Sequence, residues 1–152
     1  MTSVVTIRPR KNPGQSLVEV IVAVGMMALL LTAVLALISL SVKNSRLAKD
    51  RTKAVGFAQE GVELIRTYRD LSWTELLAKA GSEYDLAKGW TVESSLSAIC
   101  PETNNIDDFF KRCVRITDTG SNTATVIVTV SWQEGSQRYN AVQQTSLSLW
   151  ER

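Results

Sequence analysis

From Val20 to Val42 the chain runs 23 residues without a charge. At about 1.5 Å rise per residue a helix of that length reaches roughly 34 Å, enough to cross a hydrocarbon core. A helix apolar on every side must be covered on every side, by lipid or by other helices. A secretory signal has a shorter apolar region with a cleavage site after it, whereas this run is longer and continues straight into further helix-forming sequence. It therefore reads as a membrane span. One carboxylate, Glu19, stands at its near end, and the next charge is Lys43. Upstream lie Arg8, Arg10 and Lys11 with no acid among them, which reads as a cytoplasmic tail.

Glu19 needs a physical reason. A carboxylate at the edge of a bilayer costs on the order of a few kcal/mol unless it is paired or reaches the interface. A cut after Gly14 supplies a partner, because it frees an α-amino group at Gln15, one helical turn before Glu19. The same ammonium on a neighbouring copy can pair with Glu19 when such helices pack side by side. In an uncut signal anchor, by contrast, Glu19 simply sits among the headgroups.

The stretch Gly14-Gln15-Ser16-Leu17-Val18-Glu19-Val20 resembles the processing signature of type IV prepilins and pseudopilins: a Gly, an apolar residue, a Ser or Thr, two aliphatics and a Glu. Gln15 replaces the usual Phe or Met, and Pro13 stands where a basic or small residue is commoner. The resemblance implies that a prepilin peptidase cuts between Gly14 and Gln15 and methylates the new amino group, and that Glu19 is the assembly carboxylate. It covers about the first 50 residues. Many pilins carry a proline in the second half of the span; here there is none, so nothing removes a backbone donor there and the span is expected to stay helical. The segment from Ala58 to Arg66, with Arg69-Asp70, Trp73 and Val130-Ser131-Trp132, is also similar to minor-pilin-like heads.

These boundaries divide the chain into a cleaved leader (residues 1–14), a transmembrane and assembly helix (15–42) and a soluble head (43–152) of about 110 residues, room for one small domain. Removing the leader lowers Lys plus Arg from 17 to 14 against 15 Asp plus Glu, so the net charge passes from +2 to −1. The chain's basicity belongs to its leader, and a nucleic-acid partner is not indicated. The cations Lys43, Arg46, Lys49, Arg51 and Lys53 outnumber those before the span, so charge counting alone leaves the orientation open. The peptidase-type junction places the leader in the cytoplasm and the head outside.

Histidine is absent and only Cys100 and Cys113 represent cysteine. The parts for metal sites and for most acid–base or nucleophile arrangements are missing, so no enzyme activity, cofactor or metal is expected. The adjacent acids Asp107 and Asp108 would face opposite ways in a strand and form a solvated turn in a loop. Cys100 and Cys113 either close a loop outside the membrane, stabilising it by roughly 3 kcal/mol, or remain two core thiols. Cys113 lies opposite Val114 in its strand, which favours a bridge on the outer face.

Past the span, Ala54, Phe57, Ala58, Gly61, Leu64, Ile65 and Tyr68 recur at three- and four-residue steps, one apolar face of a helix continuing from Val42 to about Tyr68. Ser72-Trp73-Thr74-Glu75 matches a capping box for a short second helix that Gly81 ends. Gly81 to Gly89 reads as loop. Then the period falls to two: Trp90 to Ala98, Phe110 to Ile116, Val126 to Trp132 and, more weakly, Tyr139 to Trp150. Asp118 to Asn122 and Gln133 to Ser136 read as hairpin turns. The expected fold is α+β: a long N-terminal helix, transmembrane first and amphipathic second, packed on a small antiparallel sheet of three to four strands.

The implied function is that of a structural subunit, a minor pilin or pseudopilin of a type IV pilus-like or type II secretion-like filament. Its partners would be the prepilin peptidase, other pilin subunits, and membrane lipid before assembly. It would be a single-pass membrane protein first and part of a cell-surface or periplasmic filament afterwards. The alternative is a single-span anchored binding module that never polymerises.

Overall fold

The computed structural model of the chain describes the backbone of residues 13–91, 96 and 99–149, and side chains from residue 17 on. Helix α1 (Pro13–Leu71) is continuous over 59 residues. Proline suits its first position, where a missing N–H costs nothing and φ is already helical. The chain divides into two compact units, with the boundary falling between Arg46 and Leu47.

In the first unit, residues 17–46 of α1 are exposed along their whole length, as an all-round apolar helix standing alone must be. It is long and apolar enough to span a membrane.

In the second unit α1 acquires one buried stripe. Ala54, Ala58, Val62, Ile65 and Tyr68 are buried at steps of three and four, and Leu47, Phe57 and Leu64 flank them half-buried. Glu60, Glu63 and Arg66 lie on exposed sides. The stripe packs against one face of a four-stranded antiparallel sheet built from β1 (Glu83–Asp85), β2 (Phe110–Gly120), β3 (Thr123–Glu134) and β4 (Gln137–Ser148), in that order. The fold is α+β. β3 alternates without a break, with Ala124, Val126, Val128, Val130 and Trp132 buried and the residues between them half-buried, as one core face and one outer face require.

Both hairpin turns fall where the sequence puts them. Ser121 and Asn122 both have positive φ (55° and 57°), the pattern of a type I′ turn, and Gly135 (62°) precedes Ser136 as in type II′. Strand β2 ends on a register shift between Asp118 and Gly120.

Three expectations are corrected. Gly81–Gly89 is not all loop: Glu83–Asp85 forms β1, pairing with Arg115, Val114 and Cys113. The strand expected over Trp90 to Ala98 does not begin where proposed, since Trp90 and Thr91 carry no strand pairing; residues 92–95, 97 and 98 lie outside the described residues, as does Trp150. What the alternation at Trp90 and Leu96 reports is burial: Leu96 is fully buried, and Trp90 packs edge-on against Tyr68 at 6.0 Å. Finally, only half of the capping box forms. Ser72 Oγ accepts from the Glu75 amide at 3.3 Å and caps helix α2 (Trp73–Ala78). The Ser72 amide, however, donates to the Tyr68 carbonyl at 3.1 Å, while the Glu75 carboxylate accepts from the Tyr68 hydroxyl at 3.4 Å. The last turn of α1 competes for the donor and wins.

One core position on β2 is charged. Arg112 lies between Phe110 and Val114 on the core face and is 1% exposed. Its Nε donates to the Leu86 carbonyl at 2.8 Å, and its two terminal nitrogens to the carbonyls of Phe57 at 3.0 Å and Ala87 at 3.4 Å. Glu60 of α1 completes an ion pair at 3.2 Å. Burial pulls the guanidinium pKa below its ordinary value, and the Glu60 charge opposes that shift. Gly61 makes the room: a Cβ there would lie 2.8 Å from a Val128 methyl and 3.2 Å from Arg112 Cδ.

The close approach at Gly61, the open space at Gly56 and the burial of Arg112 set what substitution should do at each. Gly61→Ala is expected to destabilise the protein by about 1–3 kcal/mol, because Val128 is β-branched and cannot swing away. Gly56→Ala, with nothing within 4 Å of its new methyl, is expected to stabilise by up to about 1 kcal/mol through helix propensity alone. Arg112→Leu leaves the buried Leu86 carbonyl without this donor, while Glu60 stays solvated, and is expected to cost about 1–3 kcal/mol, with Arg112→Lys between it and the parent because an ammonium lacks the planar fork. Urea midpoints of the full chain in detergent micelles, followed by tryptophan fluorescence, measure all four variants.

Candidate functional site

The residues singled out by the sequence fall into two groups. Gly14 and Gln15 lie in the first turn of α1, and Glu19 follows Gln15 by four residues, so one turn of helix, about 6 Å along the axis, separates them. Glu19 is exposed. Among the described residues it has no ion-pair partner. Beyond it, Leu17, Val18, Val20 and Ile21 are all more than half exposed. The helix therefore presents one carboxylate on an otherwise apolar surface, which is an address for a cation and little else.

Cys100 and Cys113 form the second group. They are joined in a disulfide with Cα atoms 5.6 Å apart, so no free thiol remains. Cys113 sits on the outer face of β2, opposite Val114, as its place in the alternation requires. It is nonetheless 7% exposed. The cover comes from the incoming segment: Cys100 donates its amide to the Glu83 carbonyl at 3.1 Å, and Ile99 bridges to Tyr84.

Beside the disulfide the outer face holds an open depression of about 410 Å³, lined among others by Lys111, Arg115, Ile127, Thr129 and Ser131. Arg115 is engaged by Glu83 at 2.7 Å. The depression is lined by the hydroxyl residues Thr129 and Ser131, by Lys111 and by the Glu83–Arg115 ion pair. Asp107 and Asp108 occupy a turn with φ of 49° and 54°. Asp107 accepts from Lys88, and the Asp108 carbonyl accepts from the Asn104 side chain at 3.0 Å. The Asp107 carboxylate thus ties the turn to the segment after β1, and the Asp108 contact is made by its backbone. Among the described residues no three His, Cys, Asp or Glu side chains converge as a metal site would need.

Sequence reasoning passed over Asn105. Its side-chain carbonyl accepts from the Arg112 amide at 2.7 Å, and its amide donates to the Arg112 carbonyl at 2.8 Å and to Asp85. One side chain thus does the work of a neighbouring strand for one residue of β2. An Asn in an irregular segment beside a strand carries no periodic signal, so nothing in the sequence marked it out.

Comparison with known proteins adds no assignment: no family model, no curated protein and no solved structure matches the chain.

The bridge closes a loop between residues 13 apart in sequence. Replacing both cysteines with serine is expected to cost about 3 kcal/mol in the chain-entropy model. The urea midpoint of the double variant, set against that of the parent treated with reductant, tests this: the two should coincide.

Proposed function

We propose that the chain is a structural subunit of a pilus-like or pseudopilus-like filament, cut after Gly14, methylated at Gln15 and assembled through its N-terminal helix. The observation that carries the reading is the lone exposed carboxylate of Glu19, one turn past Gln15, at the mouth of an apolar helix and behind a basic leader. Cleavage would create the cation that this carboxylate lacks. The α+β second unit, a helix laid on an antiparallel meander, supports the same reading as a compact head, which this reading puts on the outer side of the membrane.

The physical course is as follows. The processed subunit waits in the bilayer, where lipid covers residues 20–42. Extraction is offset when neighbouring helices replace the lipid, at roughly 25 cal/mol per Å² of apolar surface kept from water. Glu19 of one copy then meets the Gln15 ammonium of another. The pair contributes register more than net affinity, since desolvating two charges consumes most of their attraction.

Mass spectrometry of the protein purified from cells that contain a prepilin peptidase tests the processing: the expected product lacks residues 1–14 and carries one methyl group on Gln15. An intact initiator methionine would overturn the reading and favour an anchored module that does not polymerise. Glu19→Ala is expected to be cut normally and yet enter filaments poorly, as scored by sheared-filament immunoblot. Full incorporation of that variant would remove the assembly role given to Glu19.

A further inference from the structure

Immediately past the apolar run, α1 carries five cations in eleven residues, Lys43, Arg46, Lys49, Arg51 and Lys53, against the single acid Asp50. All five are exposed, whereas Asp50 is half-buried. None of the five forms an ion pair among the described residues. Lys43, Arg46, Lys49 and Lys53 succeed one another at steps of three, three and four, which aligns them along one side of the helix. Arg51 takes another side.

A surface helix normally intersperses acids among its bases at three- and four-residue spacing, because such pairs are mutually stabilising. Farther along this same helix the rule holds: Glu63 pairs with Arg66, three residues on, at 2.7 Å. Between residues 43 and 53 one acid stands against five bases. Asp50, four residues past Arg46 and three before Lys53, is half-buried and makes no ion pair with either, and like charges repel one another at those spacings. The repulsion is relieved where an external anion faces the stripe.

We infer that this collar binds the anionic phospholipid headgroups of the leaflet from which the head emerges. The inference depends on residues 20–42 lying in a membrane but not on filament assembly. With the hydrocarbon boundary at Val42, the backbones of Lys43, Arg46 and Lys49 lie about 2, 6 and 11 Å beyond it, against a headgroup layer of about 5–8 Å. Flexible four-carbon stems let lysines bend back toward the phosphates. Arg51 and Lys53 lie farther out, and act on the charged surface across a screening length of about 8–10 Å. Anionic lipid therefore meets a ladder of cations, strongest at its foot.

The collar also gives a physical sense to the cation excess on the head side of the span, which opposes the usual bias of positive charge toward the cytoplasm. On the outer side it holds the unassembled subunit at a fixed depth, with the whole apolar run covered. Its hold weakens as salt rises.

The test uses the full chain reconstituted in phosphatidylcholine vesicles containing spin-labelled lipid. At low salt, spin-labelled phosphatidylglycerol is expected to associate about threefold more strongly than spin-labelled phosphatidylcholine, with the preference falling toward unity in 1 M salt. The triple variant Lys43→Gln/Arg46→Gln/Lys49→Gln should lose most of the preference, and Arg51→Gln/Lys53→Gln a smaller part. All five positions are exposed, so folding is not at stake, and an intact Cys100–Cys113 bridge checks it. Inorganic phosphate, at ionic strength matched with chloride, should leave the preference unchanged. Equal association of the two lipids, an unaltered preference in the triple variant, or specific competition by phosphate each overturns the inference. Failure of the protein to float with the vesicles would instead overturn the membrane span on which the inference depends.

Discussion

The second unit depends on a single buried cation. Arg112 is 1% exposed and faces the core from near the start of β2, a position that an aliphatic residue would fill at no electrostatic cost. Moving a guanidinium out of water is expensive, and it persists only where hydrogen bonds and a counter-charge replace the lost hydration. Here the carbonyls of Leu86, Ala87 and Phe57 take its donors, and Glu60, itself 56% exposed, supplies the charge from the solvent side. The arrangement fixes three otherwise independent pieces, α1, β2 and the chain after β1, at one point. Apolar packing allows some sliding between a helix and a sheet; a planar fork with three acceptors does not.

The following residue performs the complementary task. Successive side chains on a strand point to opposite faces, so Arg112 ties β2 to the core side and Cys113 ties it, through the disulfide, to the segment arriving on the outer side. Between β1 and β2 the chain is long and, among the described residues, largely irregular, the class of connection that loses most entropy on ordering. It is held at Leu86 and Ala87 by Arg112, at Cys100 by the bridge, and at Asn105 by hydrogen bonds to the β2 backbone. Gly61 is the condition for all of this, because the helix must come within van der Waals contact of Val128 before the Phe57 carbonyl is in reach.

How much of this was legible in the sequence depended on whether a feature repeats. The apolar stripe of α1, the alternation of β3 and the two hairpin turns follow local periodicity or turn chemistry, and each falls within a residue or two of its expected place. Phe110, Val114 and Ile116 mark the core face of β2, and that same alternation puts Arg112 on it, against the ordinary preference of a charge for water. β1, at three residues, is too short to show a period, and its place is set by partners in β2 thirty residues away. At the start of the stretch from Trp90 alternation did not bring pairing: Trp90 is half-buried and Leu96 fully buried, an even spacing that core contact produces without a strand. Competition for the Ser72 amide was likewise invisible, since it turns on where α1 ends. Of the candidate site, the disulfide's outward side was readable from strand parity, whereas Glu19 was conspicuous only as an exception to its surroundings.

That exception carries the functional argument further than the head does. Residues 17–42 show no sided pattern; their apolar side chains are exposed all round, so one partner helix, covering a stripe of about 100°, cannot satisfy them. Lipid can, and so can a ring of neighbours. The polar group of the span nearest its middle is already spoken for, since the Thr32 hydroxyl donates to the Leu29 carbonyl of its own helix at 2.8 Å. Aliphatic surfaces alone discriminate poorly between two helices in register and two displaced by a turn of about 5.4 Å, because either packing buries similar area. A carboxylate does discriminate, because one displaced turn separates it from a fixed cation and leaves it desolvated without a partner. On the proposed reading, then, the greasy surface determines that the subunits associate, and Glu19 determines how far each is displaced along the next.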